Sequence, residues 1–270
     1  MVKSPLLFLA RAFLIEAEYM MEEIIREEIV RYLLFAVAIL VGWLGGNGAV
    51  FLFNKLPGRW LTDYGKEPLE EILHPTRQRI ESTPWKLVFS MFFIASGIWM
   101  AESLWQSRLS PWAMVALLMA YMICFWLLLL IGLADGKYGI IPDQLVILLA
   151  LTAMAFAPYK ETFLDPLYGA LLGGGVFFLI SILFQKISGK PSLGMGDVKL
   201  LIAVGLLMGF RDTASVIMIT AMLAGVGFSA GLVKGTLKLK DTAPLGPYIV
   251  AATYLCMVFD ITKWLFFGLW

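Results

Sequence analysis

The chain has 270 residues, of which 60% are apolar and 15% charged, with a net charge of +1. That balance falls outside the range of soluble domains. It also leaves no basic stripe to hold a phosphate backbone, which excludes a nucleic-acid binder. The apolar residues gather in blocks of about 17 to 25, the helical length that crosses roughly 30 Å of hydrocarbon, so the expected fold is an all-α polytopic membrane protein.

In chain order, SPLLFLARAFLI comes first, broken by Arg11 and followed by no small-residue cleavage site, so it does not read as a signal peptide. EAEYMMEEIIREE then sets six glutamates against one arginine. Residues 1–30 are expected to form an acidic amphipathic helix, over 5–30, that lies in the membrane interface or projects from it.

Eight apolar segments follow, near 32–53, 86–105, 112–134, 145–158, 164–185, 198–210, 213–233 and 246–267. Helix is predicted for all of them, because backbone groups in lipid have to be satisfied within the segment. The fourth and sixth are short and are expected to tilt, to pack inside the bundle or to sit in thinned bilayer. The organisation is thus an N-terminal helix over 1–30, a first transmembrane helix over 31–54, a loop over 55–85 with EPLEEIL as its regular part, and a transmembrane core over 86–270. GALLGGGVFFLI, from Gly169, offers a small-residue face for tight helix packing, or a break that could form an ion site; packing is preferred. Cys124 and Cys256 lie inside apolar blocks and read as small hydrophobes, and His74 stands alone in a polar loop, so no metal site is expected.

Lys55, Arg59, Lys66, Arg77 and Arg79 share the loop over 54–85. Lys186, Lys190 and Lys199 precede or open the sixth segment, and Lys234, Lys238 and Lys240 precede the eighth. The intervening loops carry one basic residue each: Arg108, Lys160 and Arg211. The positive-inside rule puts the first set in the cytoplasm. The N-terminal segment, with Lys3, Arg11, Arg26 and Arg31, fits this alternation least well.

Two acids stand at that same boundary. Asp135 ends the apolar run LLLLIGLAD, and Asp197 opens the run VKLLIAVG after Gly194 and Gly196, whose missing side chains permit close backbone approach. Ionisable groups at such depth usually face the bundle interior. Two carboxylates brought together do not both ionise easily, so one keeps a proton while the other loses it. An aspartic protease needs that state: the ionised acid activates water, and the protonated one supports the carbonyl and then protonates the leaving nitrogen. The structural readings stand beside this one. Asp135 could form a turn in DGKYG, and Asp197 could be an N-cap for Lys199 or Leu200. Asp143, after Pro142 and before QLVILLA, is expected to be an N-cap rather than a catalytic acid. Asp63, Glu67, Glu70, Glu71 and Glu81 are expected to be solvated, and Glu102, Asp165, Asp212 and Asp260 to snorkel or cap at segment ends.

These stretches resemble the prepilin peptidases, or type IV leader peptidases, membrane aspartic proteases of the G-x-G-D class. Asp135 with Ile141-Pro142-Asp143 is similar to the family's first aspartate and its downstream Pro-Asp or Pro-Asn. GMGDVKLLIAVGLLMG, from Gly194, is very close to the second aspartate motif. APLGPYIVAA, carrying Pro244, Gly246 and Pro247, resembles the family's Pro-Phe-Gly-Pro entry to the last helix, with Leu245 where Phe is usual. FNKLPGR, near Phe53, is a weaker echo. The resemblance implies that Asp135 and Asp197 are the catalytic pair of an aspartic endopeptidase in the bacterial inner membrane, with Lys199 beside them. It implies as substrate a prepilin or pseudopilin precursor, cut after the Gly of a short basic leader on the cytoplasmic side.

Many members of the family bind zinc through two C-x-x-C pairs in the first cytoplasmic loop and methylate the product with S-adenosylmethionine. That loop holds no cysteine here, so neither zinc nor S-adenosylmethionine is expected, and no cofactor is assigned. Besides the lipid bilayer, the expected partner is the precursor alone. A transporter or channel, and a non-catalytic assembly protein of a pilus or secretion system, remain as alternatives. The first is opposed by acids that sit at the membrane edge and the second by the retention of two costly carboxylates.

Overall fold

The computed structural model describes residues 5–62, 72, 78–107, 109–160, 162–188, 194–235 and 244–259. Among them there is no strand. The helices are α1 (Pro5–Lys55), α2 (Trp85–Gln106), α3 (Pro111–Tyr138), α4 (Asp143–Ala153), α5 (Asp165–Ala170), α6 (Val176–Ser188), α7 (Met195–Met208), α8 (Phe210–Val233) and α9 (Gly246–Phe259). Short 3-10 turns follow α1 and α4, and a π-turn over Leu171–Gly175 joins α5 to α6.

Within the described residues the apolar segments are thus helical, but not each is long and apolar enough to cross a membrane. Among the described residues five stretches are long and apolar enough to span: Glu27–Lys55, Trp85–Gln106, Pro111–Tyr138, Asp165–Leu183 and Phe210–Val233. α4, α7 and α9 are shorter, and α9 is described only as far as Phe259. The chain is a multi-pass membrane protein. The expected break between an N-terminal helix and the first span is not there, because α1 runs through both for 51 residues, about 76 Å at 1.5 Å per residue. Of EPLEEIL only Ile72 is described, and His74 lies outside the described residues.

α3 and α7 are the hubs of the bundle. α3 packs on α1, α2, α4 and α9, and α7 packs on α4, α5, α8 and α9, so α4 and α9 each touch both hubs. Leu118, Leu128 and Ile131 of α3 and Leu200 and Leu201 of α7 are fully buried.

Glycines set the closest crossings. In α1, Gly42 and Gly46 lie against the backbone of α2 at Ile94 and Ser90. Gly169 of α5 and Gly205 of α7 face each other so closely that a Cβ on either would strike the other's carbonyl oxygen. Gly173 meets the Leu201 carbonyl in the same way. The glycine run from Gly169 is therefore a packing face, since lipid tails supply no hydrophobic drive between helices and close van der Waals contact has to replace it.

At one end of the bundle, the reversal between α7 and α8 is made by Gly209 (φ 81°). There Lys160 donates to the Met208 carbonyl at 2.6 Å, and the Phe210 N–H donates to Asp165 at 3.0 Å. Asp165 is a cap, as expected, but for α8 and not for its own helix. Arg31 of α1 and Glu102 of α2 pair at 3.2 Å. The opposite end holds the last turns of α1 and α3 and the first turns of α4, α7 and α9.

Overpacking at a crossing costs roughly 1–3 kcal/mol. Gly205→Val should lower the melting stability in detergent by that much. Gly48→Ala, at a position with nothing within 4 Å of an added Cβ, should leave stability unchanged or raise it by about 0.5–1 kcal/mol.

Candidate active site

α3 ends one turn after Asp135, where Gly139 (φ 67°) takes the left-handed conformation and its N–H donates to the Asp135 carbonyl at 2.8 Å. The Asp135 side chain is 5% exposed. It does not fold back onto the turn. Its Oδ2 instead accepts the N–H of Gly246, the first residue of α9, at 2.8 Å. A Cβ at residue 246 would lie 2.5 Å from that oxygen, so glycine is the residue that lets the helix start reach the carboxylate. The amides of a first helical turn have no partner within the helix and carry partial positive charge, which suits an anion.

Asp197 is built to the same plan. The N-cap of α7 is Gly194, which puts Asp197 in the third helical position and excludes the N-cap reading. Its carboxylate reaches back to the N–H of Gly194, as the acidic partner of a capping box does. Asp197 lies ahead of the apolar run that begins at Val198. Burial, and then the charge of Asp135, push its carboxyl up to about 6, against the lowering effect of the Gly194 bond. The two acids therefore lie within electrostatic reach of each other at one end of the bundle, each with a glycine amide at a helix start.

Pro142 and Asp143 lie beside them with a different role from the one expected. Asp143 is not an N-cap: Pro142 holds that position, and no side chain caps the helix. The Asp143 carboxylate is occupied by Lys199 Nζ, at 2.9 Å from Oδ1 and 2.8 Å from Oδ2. The cause is tertiary: α7 presents the Lys199 ammonium two residues past Asp197, within reach of the Asp143 carboxylate. The pair ties the first residue of α4 to the first turn of α7. Gly196 adds to the same contact, because a Cβ there would lie 3.2 Å from the Ile141 side chain. Of the last motif, Gly246 touches Asp135, and Pro247 lies 3.5 Å from the Cβ position of Gly136. Pro244 is exposed and takes no part in these contacts.

Arg79 was legible only as one of the loop cations, and it is buried. It donates to the carbonyls of Phe53 (3.2 Å), Leu56 (2.6 Å) and Ile72 (3.0 Å). A lone arginine in a polar loop carries no sequence signal for such a fold-back. No group of His, Cys, Asp and Glu fit to hold a metal ion occurs among the described residues.

The type IV leader peptidase family matches residues 122–229, a stretch that carries both Asp135 and Asp197. The leader peptidase HopD of Escherichia coli is 30% identical over 129 residues, 47% of this chain and 83% of that protein. The chain belongs to the type IV leader peptidase family. HopD of Salmonella typhimurium is 32% identical over 130 residues, 47% of this chain and 84% of the relative. The prepilin leader peptidase/N-methyltransferase of Pseudomonas aeruginosa is 28% identical over 145 residues, 52% of this chain but 49% of that longer protein. No solved structure matches the chain. The protein is a membrane protease of this family.

The Asp143–Lys199 pair is part-exposed, with side chains 35% and 44% accessible. A double-mutant cycle with Asp143→Ala and Lys199→Ala, read by thermal unfolding in detergent, should give a coupling of about 0.2–1 kcal/mol that shrinks in high salt.

Proposed function

We propose that Asp135 and Asp197 are the catalytic pair of an aspartic endopeptidase that removes the leader of type IV prepilin-like precursors, cutting after Gly on the cytoplasmic side of the bacterial inner membrane. The observation that carries this reading is the shared arrangement of the two acids. Both stand at one end of the bundle on separate hub helices, each keeps one oxygen on a glycine amide, and the charge of Asp135 acts on Asp197.

In this arrangement the free carboxylate oxygens are the reactive ones. The ionised member takes a proton from water as the water oxygen attacks the scissile carbonyl. The protonated member donates to the carbonyl oxygen, and a proton then passes to the leaving nitrogen as the C–N bond breaks. The Gly246 and Gly194 amides hold both acids in place through the cycle. Lys199, engaged by Asp143, stabilises the entry to α7 and is not assigned to the chemistry. The loop cations, including Lys55 and Arg59, support a cytoplasmic site. The cysteine-free loop supports cleavage without N-methylation of the product.

Detergent-purified protein with a type IV prepilin precursor tests the assignment. Asp135→Asn and Asp197→Asn should each lower cleavage at least about 10³-fold, a loss of the size that follows removal of an essential catalytic group. Asp143→Asn should keep the rate within a few fold. Retained cleavage by Asp135→Asn would instead make Asp143 the partner of Asp197. Failure of the parent on several precursors would favour a transporter or an assembly protein.

The pair works with one proton. Full protonation at low pH removes the base, and full ionisation at higher pH removes the acid. kcat/KM should therefore be bell-shaped, with its alkaline limb near the value of about 6 to which Asp197 is raised, both limbs belonging to the coupled pair. A rate that is flat across the acidic range would count against a shared proton.

A further inference from the structure

The loop ahead of α2 is fastened to the end of the bundle that carries the two aspartates, and its fastener is a buried cation. Arg79 is 7% exposed, and its guanidinium spans the carbonyls of Phe53 and Leu56 at the end of α1 and of Ile72 in the loop. Terminal helix carbonyls lack intrahelical donors and carry partial negative charge, so a buried guanidinium there is electrostatically favoured; both terminal nitrogens of Arg79 are bonded, and its Nε has no partner among the described residues. The next residue is pinned twice more: Asn54 Nδ2 donates to the Ile80 carbonyl at 2.9 Å, and the Ile80 N–H donates to Asn54 Oδ1 at 2.9 Å.

This fastened segment touches α3 just beyond Asp135. Lys137 Nζ donates to the backbone carbonyl of Arg79 itself. Phe53, whose carbonyl Arg79 holds, stacks on Tyr138 with ring centroids 6.4 Å apart. The last turn of α3 is thus gripped from two sides. On one side Gly246 of α9 holds the Asp135 carboxylate, and on the other the α1 end and the loop hold Lys137 and Tyr138.

We propose that Arg79 is a positioning residue for the peptidase reaction, locking the loop to α1 and through Lys137 and Tyr138 holding Asp135 in register with Gly246 and Asp197. The proposal rests on the assignment of Asp135 and Asp197 as the catalytic pair. Arg79 touches no reacting atom. Its contribution is the alignment of one acid with the other, and alignment errors of about 1 Å can cost 10²-fold in rate. A lysine in its place presents a compact ammonium and not a planar fork, so it can serve one or two of the carbonyls but not all three.

The test uses the full chain in detergent with a type IV prepilin precursor, and Asp135→Asn and Asp197→Asn as controls. Arg79→Ala should lower kcat about 10–100-fold with KM within twofold, and should move the alkaline limb of the pH profile as the spacing of the carboxylates changes. Arg79→Lys should recover part of kcat, and Asn54→Ala, which loosens the same segment without removing the cation, should show a smaller loss of the same kind. A second readout does not depend on cleavage. Gly136→Cys with Pro247→Cys, in a chain with Cys124→Ala and Cys256→Ala, should be joined in high yield by a short bis-maleimide, and adding Arg79→Ala should lower that yield at least threefold. An Arg79→Ala protein with unchanged kcat, pH profile and cross-link yield would overturn the proposal, even with a lowered melting temperature. If Asp135→Asn still cleaves, the catalytic assignment fails, while the cross-link yield still reports whether Arg79 sets the register of α3 on α9.

Discussion

A buried carboxylate in a helical membrane bundle costs several kcal/mol unless donors are brought to it, and the end of the bundle that holds Asp135 is arranged around supplying one. A donor from α3 itself is unavailable, because the amides of its last turns are already bonded within the helix. The donor has to come from the start of another helix, where amides are free. That requires α9 to begin at the level where α3 ends, and it requires the first residue of α9 to be Gly246, because any side chain would occupy the place of the Asp135 oxygen. From this requirement follow the antiparallel placement of α3 and α9 and the contact of Pro247 beside Gly136. Asp197 meets the same requirement within its own helix by sitting three residues after Gly194.

The hub arrangement then explains why two short helices matter as much as the five long ones. α4 and α9 each contact both α3 and α7, and each delivers its first residue to the acid-bearing end. α9 gives Gly246 to Asp135, and α4 gives Asp143 to Lys199. A helix that begins at the site does not have to traverse the bilayer to do this, so length and apolarity, the features that identify a span, say little about these two.

Much of the fold was legible because the membrane enforces simple rules. Apolar blocks had to be helices, and as far as they are described they are. Asp135 and Asp197 stood out in the sequence because both carboxylates interrupt apolar runs at one boundary. What could not be read was which groups fill the remaining valences. The pairing of Asp143 with Lys199 depends on α4 starting beside the first turn of α7, a tertiary fact with no local pattern, and an Asp after Pro before an apolar run has the signature of a cap. The burial of Arg79 depends on the loop folding back over the end of α1. The continuity of α1 was missed for a related reason: a change from acidic to apolar composition marks a change of surroundings, not of backbone, and nothing in EEIIREEIVRY breaks a helix.

Acidity beside a glycine is not by itself a sign of chemistry, and the opposite end of the bundle makes the point. Asp165 also accepts an N–H at a helix start, that of Phe210, and it also lies against a glycine, Gly209, where a Cβ would strike its carboxylate. Asp143 likewise stands at the start of a helix. The three situations differ in what faces the remaining oxygens. Asp143 meets an ammonium and is held in an ion pair. Asp165, half-buried at the start of α5, caps α8, with Lys160 engaged on the Met208 carbonyl. Asp197 meets the charge of another carboxylate under burial, and together these push its carboxyl up to about 6. Local geometry is common to all three acids. The charge each one faces separates a cap and an ion pair from a carboxyl raised by another carboxylate.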